Sequence, residues 1–168
     1  MQLTYSTLVY LLKSQFGFSP HLKGFIPFGL LFIFTLFAGK FLGAKSARVE
    51  FKPTFNNLIT IGLLIPISEE LLFRGTLLSL CPNVLTNGIV FSIVHLLNVA
   101  SKFETFSLYN LIYRFVVGYI FADSVLATGS LFSATICHVL NNFLGILLPW
   151  LEHETKKRRQ NSRGEKHE

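Results

Sequence analysis

An all-helical, polytopic membrane bundle is the fold class predicted for this chain, and three observations predict it. Hydrophobic residues make up 51 % of the 168 and charged residues only 14 %, the composition of a bilayer-embedded protein rather than a soluble one. The apolar residues fall in runs of about 20 separated by short polar connections, the length that spans a hydrocarbon core as a helix. The formal charge of +6 is concentrated at the carboxyl end, where Lys156, Lys157, Arg158, Arg159, Arg163 and Lys166 stand close together. About five transmembrane helices are expected, with an N-terminal interfacial helix as a further element.

Taken in order, residues 1–18 are apolar but interrupted by Gln2, Tyr5, Tyr10, Lys13 and Gln15, a pattern for a helix lying in the interface or an extra crossing. The first span covers residues 24–43, with Lys40 near its end where its stem can snorkel. Residues 44–55 hold Lys45, Arg48, Glu50 and Lys52 and belong outside the bilayer. The second span, 57–80, ends at Cys81-Pro82-Asn83. A shorter third covers 88–100, a loop follows with Lys102 and Glu104, and the fourth covers 109–127. Arg114 and Asp123 read there as interface anchors. Ser130 is the expected cap of the fifth span, 131–150, which ends on an interfacial Trp150. Three segments result: 1–23, an amphipathic or extra membrane helix; 24–150, the membrane-embedded domain; and 151–168, a basic tail expected to be disordered. The positive-inside rule places the loops at 44–55 and Lys102, with that tail, on the cytoplasmic side. The tail's expected partner is anionic lipid. Nucleic-acid binding is not expected. Cys81 and Cys137 form no CxxC, which argues against a disulfide framework or a zinc finger.

Function is written in the second span. Glu69, Glu70 and Arg74 interrupt an oily run, and an ionisable residue at membrane depth is expensive enough to count as a functional-site hypothesis. Glu70 and Arg74 are four apart and can pair on one helix face, while Glu69 is turned about 100° away and is left spare. Counting about 1.5 Å per residue from the uncharged side, Glu69, His95 and His138 fall roughly 16, 10 and 12 Å deep, close to one level. His138 and Asn142 share a face. A carboxylate in a dry cleft with a neighbouring imidazole can serve as general base toward water, and an imidazole N–H with an amide can meet an oxyanion. These residue types suffice for amide hydrolysis without a nucleophilic Ser or Cys. Ser92 shares a face with His95 but has no GxSx setting, and Cys137 is adjacent to His138 and faces elsewhere. Zinc held by Glu69, His95 and His138 is the alternative use of the same side chains; no HExxH is present.

Three motifs stand in order on successive helices: Glu69-Glu70-x-x-x-Arg74, Phe91-x-x-x-His95 and His138-x-x-x-Asn142, the last within TGSLFSATICHVLNNF. Over residues 55–148 the chain resembles the CAAX-prenyl-protease and bacteriocin-processing (Abi, CPBP) family of intramembrane proteases. The resemblance implies that Glu69 and His95 activate water, that His138 and Asn142 form the oxyanion site, and that Glu70 and Arg74 support the first motif. Spacing selects Asn142 over its neighbour Asn141. It also implies a glutamate-dependent mechanism with no cofactor required, a membrane protein or peptide as substrate, and a bacterial plasma (inner) membrane as location. The rival expectations are an immunity or peptide-binding protein on the same fold, and a proton-coupled transporter, which the lack of an inverted repeat disfavours.

Overall fold

In the computed structural model, residues 17–41 and 52–164 are described. Most of the expected amino-terminal helix and of the loop at 44–55 lies outside them, as do the last four residues. The described residues are helical, apart from connections and one parallel bridge between Gly17 and Ser130.

Helix α1 (Ile26–Phe41) follows a single tight turn, Leu22–Phe25. Helix α2 runs over residues 55–80 and starts at Thr54, whose hydroxyl accepts from the Asn57 amide. It is regular over Ile65–Glu70 and widens to π-helix over Leu58–Leu64 and Leu71–Leu77. Pro66 has no N–H for the Gly62 carbonyl and its ring crowds that turn, and a widened turn lets the ladder pass it. The Ile65 amide accordingly reaches back five residues to the Thr60 carbonyl.

Helix α3 (Val84–Val94, continued as Leu96–Ala100) begins four residues before the expected start. The reason is local: Asn83 follows the helix-stopping Pro82, and its side chain accepts from the Thr86 amide at 2.9 Å. Helix α4 (Leu108–Thr128) is capped by Ser107 and closed by Gly129, whose φ of +66° is the left-handed value a helix end favours. Ser130 then accepts from the Phe132 amide, as a cap should, and donates to the Ser19 carbonyl. Helix α5 (Phe132–Gly164) does not stop at Trp150; the stretch read from sequence as the start of a disordered tail continues the helix to Gly164. Its Glu, Lys, Arg and Gln residues are good helix formers, and a long helix already nucleated can be extended residue by residue.

Two helical stretches are long and apolar enough to cross a bilayer, Leu108–Thr128 and Phe132–Thr155. Large apolar side chains stay exposed along them, including Ile112, Tyr119 and Leu126 on α4 and Leu140 and Leu148 on α5, a surface that suits lipid rather than water. The opposite sides close a core of Phe28, Leu78, Val117, Phe121, Ala122, Val125, Leu131, Ala134 and Cys137. Helices α3 and α4 approach most intimately at two glycines. A Cβ on Gly88 would lie 3.0 Å from the Phe115 carbonyl oxygen, and one on Gly118 would lie 3.1 Å from the Gly88 Cα and 3.0 Å from the Phe91 ring. Small residues at such a crossing let backbones meet in a membrane.

Candidate active site

The regular turn of α2 presents Glu69 and Glu70 on different sides, as their one-residue offset requires. Glu70 faces inward and is fully buried, together with Arg74. Arg74 Nη1 donates to Glu70 Oε1 at 2.9 Å, and Nη2 donates to the Gly118 carbonyl at 3.2 Å. The guanidinium carbon stands 4.3, 5.3 and 5.8 Å from the ring centroids of Phe91, Phe121 and Phe73, so aromatic faces take the place of water around the cation. Among the described residues, Glu70 Oε2 and Arg74 Nε have no hydrogen-bond partner.

His138 joins this pair to Glu69. Its Nδ1 lies 2.7 Å from Glu70 Oε1, and its Nε2 lies 3.4 Å from Glu69 Oε2. His95 approaches Glu69 from α3, with Nε2 3.8 Å from Oε1. The His95 Nδ1 is 2.7 Å from the Phe91 carbonyl. A carbonyl only accepts, so Nδ1 carries a proton, and in the neutral imidazole Nε2 presents its lone pair to Glu69. The His95 amide turns to the Ile93 carbonyl instead of continuing the regular ladder, and α3 breaks for one residue at His95. Glu69, whose side chain is 25 % exposed, thus lies between two imidazole Nε2 atoms with neither contact at hydrogen-bond length.

The residues singled out from sequence therefore do not all meet. Glu69, Glu70, Arg74, His95 and His138 form one cluster. Asn142, one turn along α5, donates from Nδ2 to the Ile61 carbonyl at 3.0 Å, in the first widened stretch of α2. That bond uses one of the two amide hydrogens. Asn141 points elsewhere and accepts from the Tyr113 hydroxyl at 2.9 Å. The Ser92 hydroxyl is committed to the Leu111 carbonyl at 2.6 Å, and Cys137 is buried in the core. Among the described residues no group of three His, Cys, Asp or Glu side chains is arranged to hold a metal ion, and no step below passes through one.

Two features were missed from sequence. Phe91 is more than a motif position: its ring touches Arg74, Phe73 at 5.1 Å, His95 at 4.6 Å and His138 at 5.8 Å between centroids. Its four-residue offset from His95 was the available signal. Arg114, read as an interface anchor, instead holds Glu104 with both terminal nitrogens, at 2.8 and 2.7 Å.

The family model described as type II CAAX prenyl endopeptidase Rce1-like matches residues 52–144. No curated protein and no solved structure matches the chain. The matched region takes in all three motifs and the whole carboxylate–imidazole cluster, on a helical architecture with two stretches able to cross a membrane. The chain is an integral membrane protein of the Rce1-like family of type II CAAX prenyl endopeptidases.

Proposed function

We propose that this protein is an intramembrane endopeptidase that hydrolyses peptide bonds of a membrane-associated protein or peptide with water activated by Glu69 and His95. The observation that carries the reading is the placement of Glu69 between the Nε2 atoms of His95 and His138 at 3.8 and 3.4 Å. Carboxylate oxygens and an imidazole lone pair together make a cluster of acceptors that suits a molecule with two protons to donate. Water held there gives one proton to Glu69 as its oxygen attacks the scissile carbonyl carbon. The C–O bond forms, the carbonyl π electrons move to oxygen, and the tetrahedral intermediate collapses as Glu69 returns the proton to the departing amine. General base action of this kind contributes about 10²- to 10⁴-fold.

His138 is assigned to the oxyanion. Its Nδ1 donates to Glu70 Oε1, so it offers a donor from Nε2 when both nitrogens carry protons. The second amide hydrogen of Asn142 is the other proposed donor; one such donor is worth about 10²- to 10³-fold. Glu70 and Arg74 fix the His138 ring. No cofactor is required in this scheme. In this reading the chain crosses the bacterial inner membrane about five times, with the basic end of α5 against anionic lipid at about 1 kcal/mol per Lys or Arg near the surface.

The test is cleavage of a membrane-anchored fluorogenic peptide library by purified protein, wild type against Glu69→Gln, each with and without a zinc chelator. Cutting that disappears in the variant and survives the chelator supports the scheme. A fully active Glu69→Gln overturns it, and cutting lost to the chelator and restored by zinc replaces it with a metal mechanism.

A further inference from the structure

Outside the Glu69 cluster, Glu104 is the charged side chain with the fullest set of partners among the described residues. It is 8 % exposed, in a loop whose neighbours Phe103 and Phe106 are 66 % and 62 % exposed. Its Oε1 accepts from Arg114 Nη1 at 2.8 Å and Asn110 Nδ2 at 3.4 Å, and its Oε2 accepts from Arg114 Nη2 at 2.7 Å. This is the two-pronged geometry in which guanidinium and carboxylate bind most strongly. A plain connection between two helices can leave its charges in water. Burying one here fastens the loop to α4.

What the loop holds is the short arm of α3. Leu96–Ala100 is five residues long, too short to keep its direction unaided. Its Asn98 carbonyl accepts from the amides of Phe103 at 2.9 Å and Glu104 at 3.2 Å, and the Asn98 amide donates to the His95 carbonyl at 3.1 Å. Lys102 turns the chain back with a left-handed φ of 62°. Bonded steps therefore run from Arg114 through Glu104 and Asn98 to His95. On the other side of His95, the Ser92 hydroxyl ties α3 to Leu111, also on α4. The break at His95 falls between these two ties.

We propose that Glu104 and Arg114 form a clip that sets the orientation of His95 toward Glu69, making them positioning residues of the reaction. The proposal rests on the peptidase reading for its effect on rate, though not for its effect on structure. A misplacement of about 1 Å at a reacting group costs about 100-fold, so a loosened arm shows in turnover before it shows in substrate affinity.

The experiment uses the full chain in detergent and a quenched fluorescent peptide ending in a farnesylated C-a-a-X sequence. Glu104→Gln and Arg114→Gln are expected to lower kcat about 10- to 100-fold with KM changed by no more than about twofold. The exchanged pair, Glu104→Arg with Arg114→Glu, is expected to recover most of the lost kcat. Wild-type kcat in both single variants overturns the proposal, as does failure of the exchanged pair to recover while it melts like the wild type. Hydrogen exchange supplies a readout independent of cleavage: Glu104→Gln, which keeps the side chain's shape, is expected to speed exchange over residues 95–104 and leave 84–94 protected. Unchanged exchange over 95–104 overturns the clip. A wild type that does not cut the peptide counts against the peptidase reading, and the exchange result still decides the clip.

Discussion

Glu70 Oε1 accepts from His138 Nδ1 at 2.7 Å across 68 residues of sequence, and the same oxygen accepts from Arg74 at 2.9 Å. One buried carboxylate thus neutralises a guanidinium and orients an imidazole whose other nitrogen faces Glu69. Glu70→Ala removes both functions and leaves Arg74 enclosed by aromatic rings without a counter-charge. Breaking a buried pair from one side costs about 3–5 kcal/mol. The expected outcome is a lower melting temperature in detergent and loss of cleavage, with Glu70→Gln intermediate in stability because an amide oxygen still accepts from Arg74. A melt of Glu70→Ala that overlays the wild type would show that the pair stabilises nothing.

Arg74→Lys separates charge from shape. Lysine keeps the cation but has no planar fork to reach Glu70 and the Gly118 carbonyl together, and it stacks less well against Phe91. The expected loss is about 1–3 kcal/mol from the unmatched buried acceptor, read as a lower melting temperature. Retention of full stability would mean that charge alone suffices at this position.

The carboxylates, histidines and arginine of this cluster were legible because the membrane makes them expensive: a Glu, a His and an Arg inside oily runs stand out, and a count of helical rise brings three of them to one level. Which nitrogen meets which oxygen was not legible, since that depends on how α2 passes Pro66 and on the ring rotamer of His138. The pairing of Arg114 with Glu104 was hidden for another reason. A residue near the start of a span and one in the preceding loop look like ordinary interface charges until the loop folds inward. The docking of residues 17–25 was equally silent, because it is made by Ser124, Ser130 and Ser133 hydroxyls donating to backbone carbonyls of Gly24, Ser19 and His21. Serines in apolar helices announce no partner.

Gly118→Val tests whether the α3–α4 crossing positions the site. Any Cβ there lies 3.0 Å from the Phe91 ring and 3.1 Å from the Gly88 Cα, and valine adds two methyl groups beyond it. Phe91 also packs on Arg74 and His95, so the collision is transmitted to both. Overpacking of this type costs about 1–3 kcal/mol. Cleavage is expected to fall further than the melting temperature alone would explain at the assay temperature, and a Gly118→Val protein with normal turnover would show that the close crossing is dispensable for chemistry.

Glu104 gives a pH dependence whose sign follows from its surroundings. Burial works to raise its carboxyl, but the hydrogen bonds and charge of Arg114, with the Asn110 amide, outweigh burial and hold it below its ordinary value of 4.5. A carboxylate depressed on folding stabilises the protein wherever pH exceeds its unfolded value, and that contribution is lost as pH falls through the folded value. The clip is therefore intact at neutral pH and opens in acid, starting below about 4.5. Melting temperature followed from pH 7 downward is expected to decline more steeply in acid for the wild type than for Glu104→Gln, which carries no titrating group at that position. The two proteins are expected to converge at the acid end, because protonated Glu104 and glutamine offer Arg114 similar neutral acceptors. Parallel profiles down to pH 3 would show that the Glu104 charge contributes nothing to the fold, and the loop would then be held by its backbone bonds to Asn98.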